Sequence, residues 1–73
     1  MHVNLNDYTE FGKVKLMATI RVSKGQLQVE GKIPPGIRGE LEDQHQRVTE
    51  DEAFLRSLPK VFSGTYVRAQ FVA

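Results

Sequence analysis

Residues 13–33 read KVKLMATIRVSKGQLQVEGKI, two alternating runs that meet at Lys24-Gly25. Setting Ser23 opposite Gln26 places Val22 against Leu27, Ile20 against Val29 and Leu16 against Ile33 on one side. Arg21 then meets Gln28, and Thr19 meets Glu30, on the other. Side chains along a strand alternate between faces with a period of two, so this single register yields one apolar and one polar face, as in a β-hairpin lying on a core. Lys-Gly is a weaker turn than Asn-Gly, and both a two-residue primed turn and a type I turn with a bulge at Gly25 fit the pattern.

On the N-terminal side, Val3 and Leu5 alternate with His2, Asn4 and Asn6, which makes residues 1–12 either a short strand or an ordered arm, closed by Phe11-Gly12. On the C-terminal side, Pro34-Pro35 ends the hairpin, because proline brings no N–H to a ladder. A helix over about 36–46 follows, with Ile37, Leu41 and Val48 as its apolar stripe. Gly36 and Gly39 weaken it by up to ~1 kcal/mol each. Thr49-Glu50-Asp51-Glu52 matches a capping box with Thr49 as N-cap, opening a second helix over about 50–58 that buries Phe54, Leu55 and Leu58 and is expected to stop at Pro59. Gly64 is expected to take a left-handed conformation before a last strand from Thr65 to Val72, with Val67, Ala69 and Phe71 inward. The predicted fold is a single α+β domain over 1–73 in the order (β)ββααβ. Its antiparallel sheet has three strands, or four if the first segment joins, with two short helices on one face. The last strand can lie beside either strand of the hairpin.

A chain of 73 residues, 40% hydrophobic and without cysteine, has room for one thin core and no disulfide or thiolate-zinc support. Its apolar runs are two or three residues long, against the ~20 that a membrane span needs, and a cytoplasmic location without membrane contact is expected. Charge is unevenly spread. Glu40, Glu42, Asp43, Glu50, Asp51 and Glu52 against Arg47 alone give residues 40–52 a charge of −5, within a chain of net charge +1. The flanks therefore carry +6, an asymmetry that bears on partners more than on fold.

Chemistry-bearing patterns are sparse. Glu42-x-x-His45 has the spacing of half a di-metal motif, but such sites need it twice with two further carboxylates, so neither a metal nor any other cofactor is expected. Ser57 or Ser63 with His45 and Asp43 or Asp51 would supply hydrolase residue types, yet no nucleophile elbow surrounds either serine. An enzyme, and with it a small-molecule substrate, is not expected.

Two binding readings remain. Tyr8, Phe11 and Met17 are apolar groups left outside the predicted core, and with Arg21, Tyr66 and Arg68 they suggest a protein-binding surface, for a foreign protein or for a second copy in a homodimer. The alternative uses the outer sheet face, where Lys13, Lys15, Arg21, Lys32 and Arg68 face only Glu30 and Tyr66 offers a ring. This is a candidate surface for single-stranded nucleic acid, with cations on phosphates and the ring on a base.

Overall fold

The computed structural model describes residues 1–73, the side chain of Glu10 excepted. Four antiparallel strands and two helices follow one another as β1 (His2–Glu10), β2 (Lys13–Ser23), β3 (Gln26–Gly31), α1 (Pro35–Arg47), α2 (Asp51–Val61) and β4 (Val67–Val72). The sheet order is β3-β2-β1-β4, an α+β arrangement with the helices on one face. The N-terminal segment is therefore a central strand. It bonds to β2 on one side and to β4 on the other, so β4 lies beside β1 and beside neither strand of the 13–33 hairpin. Val3 and Leu5 are fully buried, which explains why two apolar residues suffice to hold β1 at the centre.

The β2–β3 register is the expected one from Ser23–Gln26 through Thr19–Glu30. Lys24 and Gly25 both have positive φ, 53° and 75°, so the turn is of the primed two-residue type whose twist matches that of the strands. Phe11 and Gly12 repeat that geometry at φ 48° and 72°, joining β1 to β2 in a second hairpin.

The register breaks at Met17. Leu5 pairs with Ala18 but Asn6 pairs with Leu16, which leaves Met17 as an extra residue, a β-bulge. A one-residue slip exchanges the faces of everything beyond it. Leu16, expected inward against Ile33, sits opposite Asn6 with 58% of its surface exposed, and Val14 is equally exposed. Met17, expected outward, packs against the core. The β2–β3 ladder ends at the Ala18–Gly31 pair, so no Leu16–Ile33 pair forms. Gly31 has φ 118°, and a Cβ there would lie 2.4 Å from the carbonyl oxygen of Met17. The bulge and the glycine are one device. A second irregularity places the extra residue on β1, between the Asp7–Lys15 and Glu10–Lys13 pairs.

The core joins Val3, Leu5, Ala18, Ile20 and Ala69 of the sheet to Leu41 of α1 and to Phe54, Leu55, Leu58 and Phe62. Full burial of a side chain such as Leu5 or Ile20 stabilises by roughly 1.5–3 kcal/mol. Phe54 and Leu55 are adjacent yet both buried, because α2 has two neighbours: the sheet, and α1, whose His45 ring meets Phe54 edge-on at 5.0 Å. Gln44 of α1 also donates to the Ser57 hydroxyl of α2 at 3.0 Å.

Four local expectations are corrected. The N-cap of α2 is Glu50, not Thr49: its carboxylate accepts from the N–H groups of Glu52 and Ala53 at 3.1 and 2.8 Å. The helix passes through Pro59 to Val61, since a missing N–H in the last turn forfeits one bond while Phe62, which donates to the Leu58 carbonyl at 2.8 Å, is drawn into the core. Gly64 is not left-handed, the positive-φ glycines being Gly12, Gly25 and Gly31, and β4 begins at Val67 rather than Thr65.

The bulge makes two outcomes measurable by thermal or urea unfolding. Leu16→Ala costs under about 1 kcal/mol, as for a largely exposed side chain, whereas Ile20→Ala costs about 2–5 kcal/mol. Gly31→Ala is destabilising by about 1–3 kcal/mol, because a left-handed alanine must also displace the Met17 carbonyl. Equal losses for Leu16→Ala and Ile20→Ala would contradict the register.

Candidate interaction surface

The outer face of β1 is polar by sequence and its amides are fixed by the flanking strands. Thr19 donates to the Asn4 Oδ1 at 3.2 Å, and Asn6 donates to the Gln70 Oε1 at 3.0 Å. Asn6 is buried although it lies on the uncovered face, and its bond supplies the partner that a buried amide requires. Arg21 is paired with Glu30 across β2 and β3. The Arg68 guanidinium stacks over the Tyr8 ring at 5.0 Å. The cations of this face are thus already engaged with neighbours on the sheet.

Beyond Tyr8 and Ala18 the sheet narrows. The β4 ladder ends with Asp7–Val67 and the Tyr8 N–H to Tyr66 carbonyl bond of 2.8 Å, and the β3 ladder ends at Ala18. What remains is a two-stranded ribbon with Phe11-Gly12 at its tip. Phe11 is fully exposed there, Val14 and Leu16 flank it on β2, and Tyr66 is 66% exposed near its base. Thr9 holds the second bulge by donating its N–H and hydroxyl to the Asp7 Oδ1 at 2.8 and 2.6 Å.

Beside the ribbon, on the helix side of the sheet, a hollow of about 440 Å³ lies between Met17, Val67 and the start of α1. Pro34, Ile37 and Tyr66 complete its apolar lining, with Asp7 and Glu40 as its acids. It continues on one side into a hollow edged by Lys15, Lys32 and Leu16, and on the other towards Val61, Phe62 and Thr65. The Asp7 carboxyl is held below the ordinary aspartate value of 3.8 by the Thr9 hydroxyl first and the Thr9 N–H next, with a smaller contribution from Lys15.

Of the residues read from sequence as a protein-binding surface, the fold brings Tyr8, Tyr66 and Arg68 together and sets Phe11 beyond them at the tip. Met17 reaches the rim of the hollow from the inside. Arg21 lies at the far end of the sheet, in register with the start of β1 and roughly 20 Å from Tyr8 at ~3.3 Å per residue. The residues read as a nucleic-acid surface divide. Lys15, opposite Asp7, and Lys32 line a hollow on the helix side, while Arg21 and Arg68 occupy the outer face and Lys13 lies at the ribbon tip. Val14, Leu16, Ile37 and Glu40 had no signal of their own. The Asp7-x-Thr9 spacing, which favours a side-chain-closed turn, is a local hint of the second irregularity, on β1, and not of the bulge at Met17 that exposes the first two.

Glu42 and His45 share a shallow hollow with Arg38, Gln46, Leu27 and Val29. Among the described residues no three His, Asp or Glu side chains gather as metal ligands would, and no helix is long and apolar enough to cross a membrane. The Ser57 hydroxyl donates to the Phe54 carbonyl at 2.6 Å and accepts from the Gln44 side-chain amide at 3.0 Å. Comparison with family models, with curated proteins and with solved structures finds no match to this chain.

The Asp7 turn sets a pH dependence. A carboxyl whose pKa is lowered by folding contributes stability that is present above its unfolded value and is lost as pH falls through the folded one. Relative to Asp7→Asn, the native chain is expected to hold an advantage at neutral pH that shrinks once pH drops below about 3.8. In a carboxyl titration followed by NMR, Thr9→Val should move Asp7 upward, since the strongest of its three stabilising contacts is removed. An unchanged titration would exclude the Thr9 hydroxyl as the main cause.

Proposed function

We propose that this chain is a small non-enzymatic binding protein that acts through contacts with protein, its contact surface being the β1–β2 ribbon and the side chains around its base. One observation carries the reading. Of the large apolar side chains that are most exposed among the described residues, Phe11, Val14, Leu16 and Tyr66 belong to or adjoin this ribbon, while only Met1 and Val61 lie elsewhere. A two-stranded hairpin is marginally stable alone in water, so an uncovered ribbon with apolar side chains gains from being covered. Aromatic residues bury about 150–250 Å² each, and these four together offer on the order of 500 Å². A specific interface needs about 800 Å² per partner, so they supply more than half of one side. Tyr8 under Arg68 adds a rigid, partly polar surface of the kind enriched at interface centres.

The supporting experiment compares the native chain with Phe11→Ser/Leu16→Ser, by light scattering over a dilution series and by affinity capture from a lysate. Both residues are exposed, so the variant keeps its circular dichroism and melts within a few degrees of the native chain. The expected outcome is that the native chain self-associates or captures a protein, and that the variant binds at least about tenfold more weakly. Equal binding by the two chains would move the surface elsewhere, and no association by the native chain in either assay would overturn the reading.

A further inference from the structure

We infer that the outer edge of β3 is a contact with a second copy, in which the two β3 strands pair antiparallel about a two-fold axis at Gln28 and the two sheets become one. The contact goes beyond the ribbon reading: it uses other residues and leaves the ribbon to a foreign protein.

Of the edges of this sheet, that of β3 is unguarded. The outside of β4 is bridged by Ser63 opposite Arg68 and by the bond from the Ala69 N–H to the Phe62 carbonyl, and the exposed part of β2 carries two lysines and a bulge. Gln26–Gly31 has no lysine and no proline, its register is regular, and its one charge, Glu30, is drawn back to Arg21. Because the turn at Lys24-Gly25 has two residues, Ser23 and Gln26 form a hydrogen-bonded pair, and bonded and non-bonded pairs alternate from there. Gln26, Gln28 and Glu30 therefore direct their N–H and C=O groups to β2. Leu27 and Val29 direct theirs outward, where no strand of the chain lies.

These outward groups select the partner. A symmetric antiparallel pairing of this strand must be centred on one residue. Centred on Leu27, the ladder runs into Gly25, whose N–H is held by Asp51; centred on Val29, it runs into Gly31, whose φ of 118° is outside strand geometry. Centred on Gln28, it uses every residue from Gln26 to Glu30. Leu27 of each copy then exchanges both backbone bonds with Val29 of the other. Gln26 lies opposite Glu30 of the other copy in a non-bonded pair, where side chains come closest, so an amide meets a carboxylate and the like charges stay apart. On the helix side the half-buried Leu27 and Val29 continue as one apolar strip across the axis. Arg38 and Glu42 of α1 flank those two residues around a hollow of about 370 Å³, and neither is in an ion pair among the described residues. The axis sets the two α1 helices antiparallel, each offering both signs of charge to the other. The joined sheet has the two bridged β4 strands as its outer edges, so assembly stops at two copies. A single strand edge makes a small interface, and dissociation in the micromolar range is expected.

The test uses position 28, which is exposed and faces itself only in this register. The full-length native chain, Gln28→Lys, Gln28→Glu and Phe11→Ser/Leu16→Ser are compared by sedimentation and light scattering over a dilution series at low and moderate salt, with circular dichroism to confirm folding. The native chain is expected to dimerise, and in hydrogen exchange followed by NMR its Leu27 and Val29 amides should become protected as concentration rises. Each Gln28 variant sets like charges together at the axis and should weaken association by roughly threefold or more, whereas an equimolar mixture of the two pairs opposite charges and should recover the native affinity or exceed it. Phe11→Ser/Leu16→Ser should dimerise like the native chain. A native chain that stays monomeric at every concentration, a dimer whose Leu27 and Val29 amides exchange freely, unchanged Gln28 variants or a mixture that fails to recover would each overturn the β3 contact. So would loss of the dimer in Phe11→Ser/Leu16→Ser, which would place self-association on the ribbon. Capture of a foreign protein through Phe11 and Leu16 is independent of position 28, so the two readings fail separately.

Discussion

The approach of the Met17 carbonyl to Gly31 governs the half of the molecule that carries the ribbon. Above that point β2 is an ordinary strand, with Ala18 and Ile20 inward and its β3 partner in the register that alternation dictates. Below it one extra residue has been admitted, and only glycine leaves room for the displaced carbonyl on the neighbouring strand. The bulge draws Met17 onto the core and turns Leu16 away from it. It also ends the β3 ladder, so that β2 continues with β1 as its only partner. The projecting ribbon, its exposed apolar side chains and the hollow floored by Met17 all follow from this one slip.

The second half of the molecule is secured differently. The Glu50 carboxylate satisfies two otherwise unpaired N–H groups at the start of α2, and Asp51 accepts from the Gly25 N–H at 3.2 Å, tying the helix to the β2–β3 turn. The acids of this segment therefore have local structural work: Asp43 and Glu52 pair with Arg47 and Arg56 one helical turn away. Exposed pairs of that kind are worth little in stability, typically under ~1 kcal/mol. Their effect is to neutralise parts of a segment that is strongly acidic as a sequence. Glu40, near the middle of α1, makes no such pair among the described residues and lines the hollow.

Much of the fold was legible because local and global signals agree. The Thr19–Glu30 part of the hairpin, the helix around Leu41 and the amphipathic run of Phe54, Leu55 and Leu58 each have periodicity matching their burial. Three features were illegible for separate physical reasons. A central strand is fixed by its partners on both sides, and Val3 and Leu5 alone do not reveal how many partners they will have. A bulge adds a residue without changing composition, so perfect alternation from Lys13 to Val22 reads as one face although the chain divides it between two. Pro59 looks like a stop because its missing donor is local, whereas burial of Phe62, which carries the helix past it, is a tertiary effect. Of the surface proposed for contact, Tyr8, Phe11, Tyr66 and Arg68 were singled out in the sequence as rings and a cation outside the predicted core, but Leu16 was hidden by the same alternation that gave the hairpin away.

An uncovered ribbon raises the question of why it would be met through side chains rather than through strand edges. The outer edge of β4 is already occupied in part, since the Ala69 N–H donates to the Phe62 carbonyl at 3.2 Å and Ser63 bridges to Arg68. The free edge of β2, from Lys13 to Met17, carries two lysines and a bulge, both of which discourage the addition of another strand. Edge pairing at the ribbon would also be indifferent to sequence, because it is made by backbone groups, and it can propagate from copy to copy. A contact made by exposed side chains such as Phe11 and Leu16 is instead specific to the residues on each side. For a small chain without disulfides, covering exposed apolar side chains would add stability, and a contact made by side chains leaves no further strand edge to propagate.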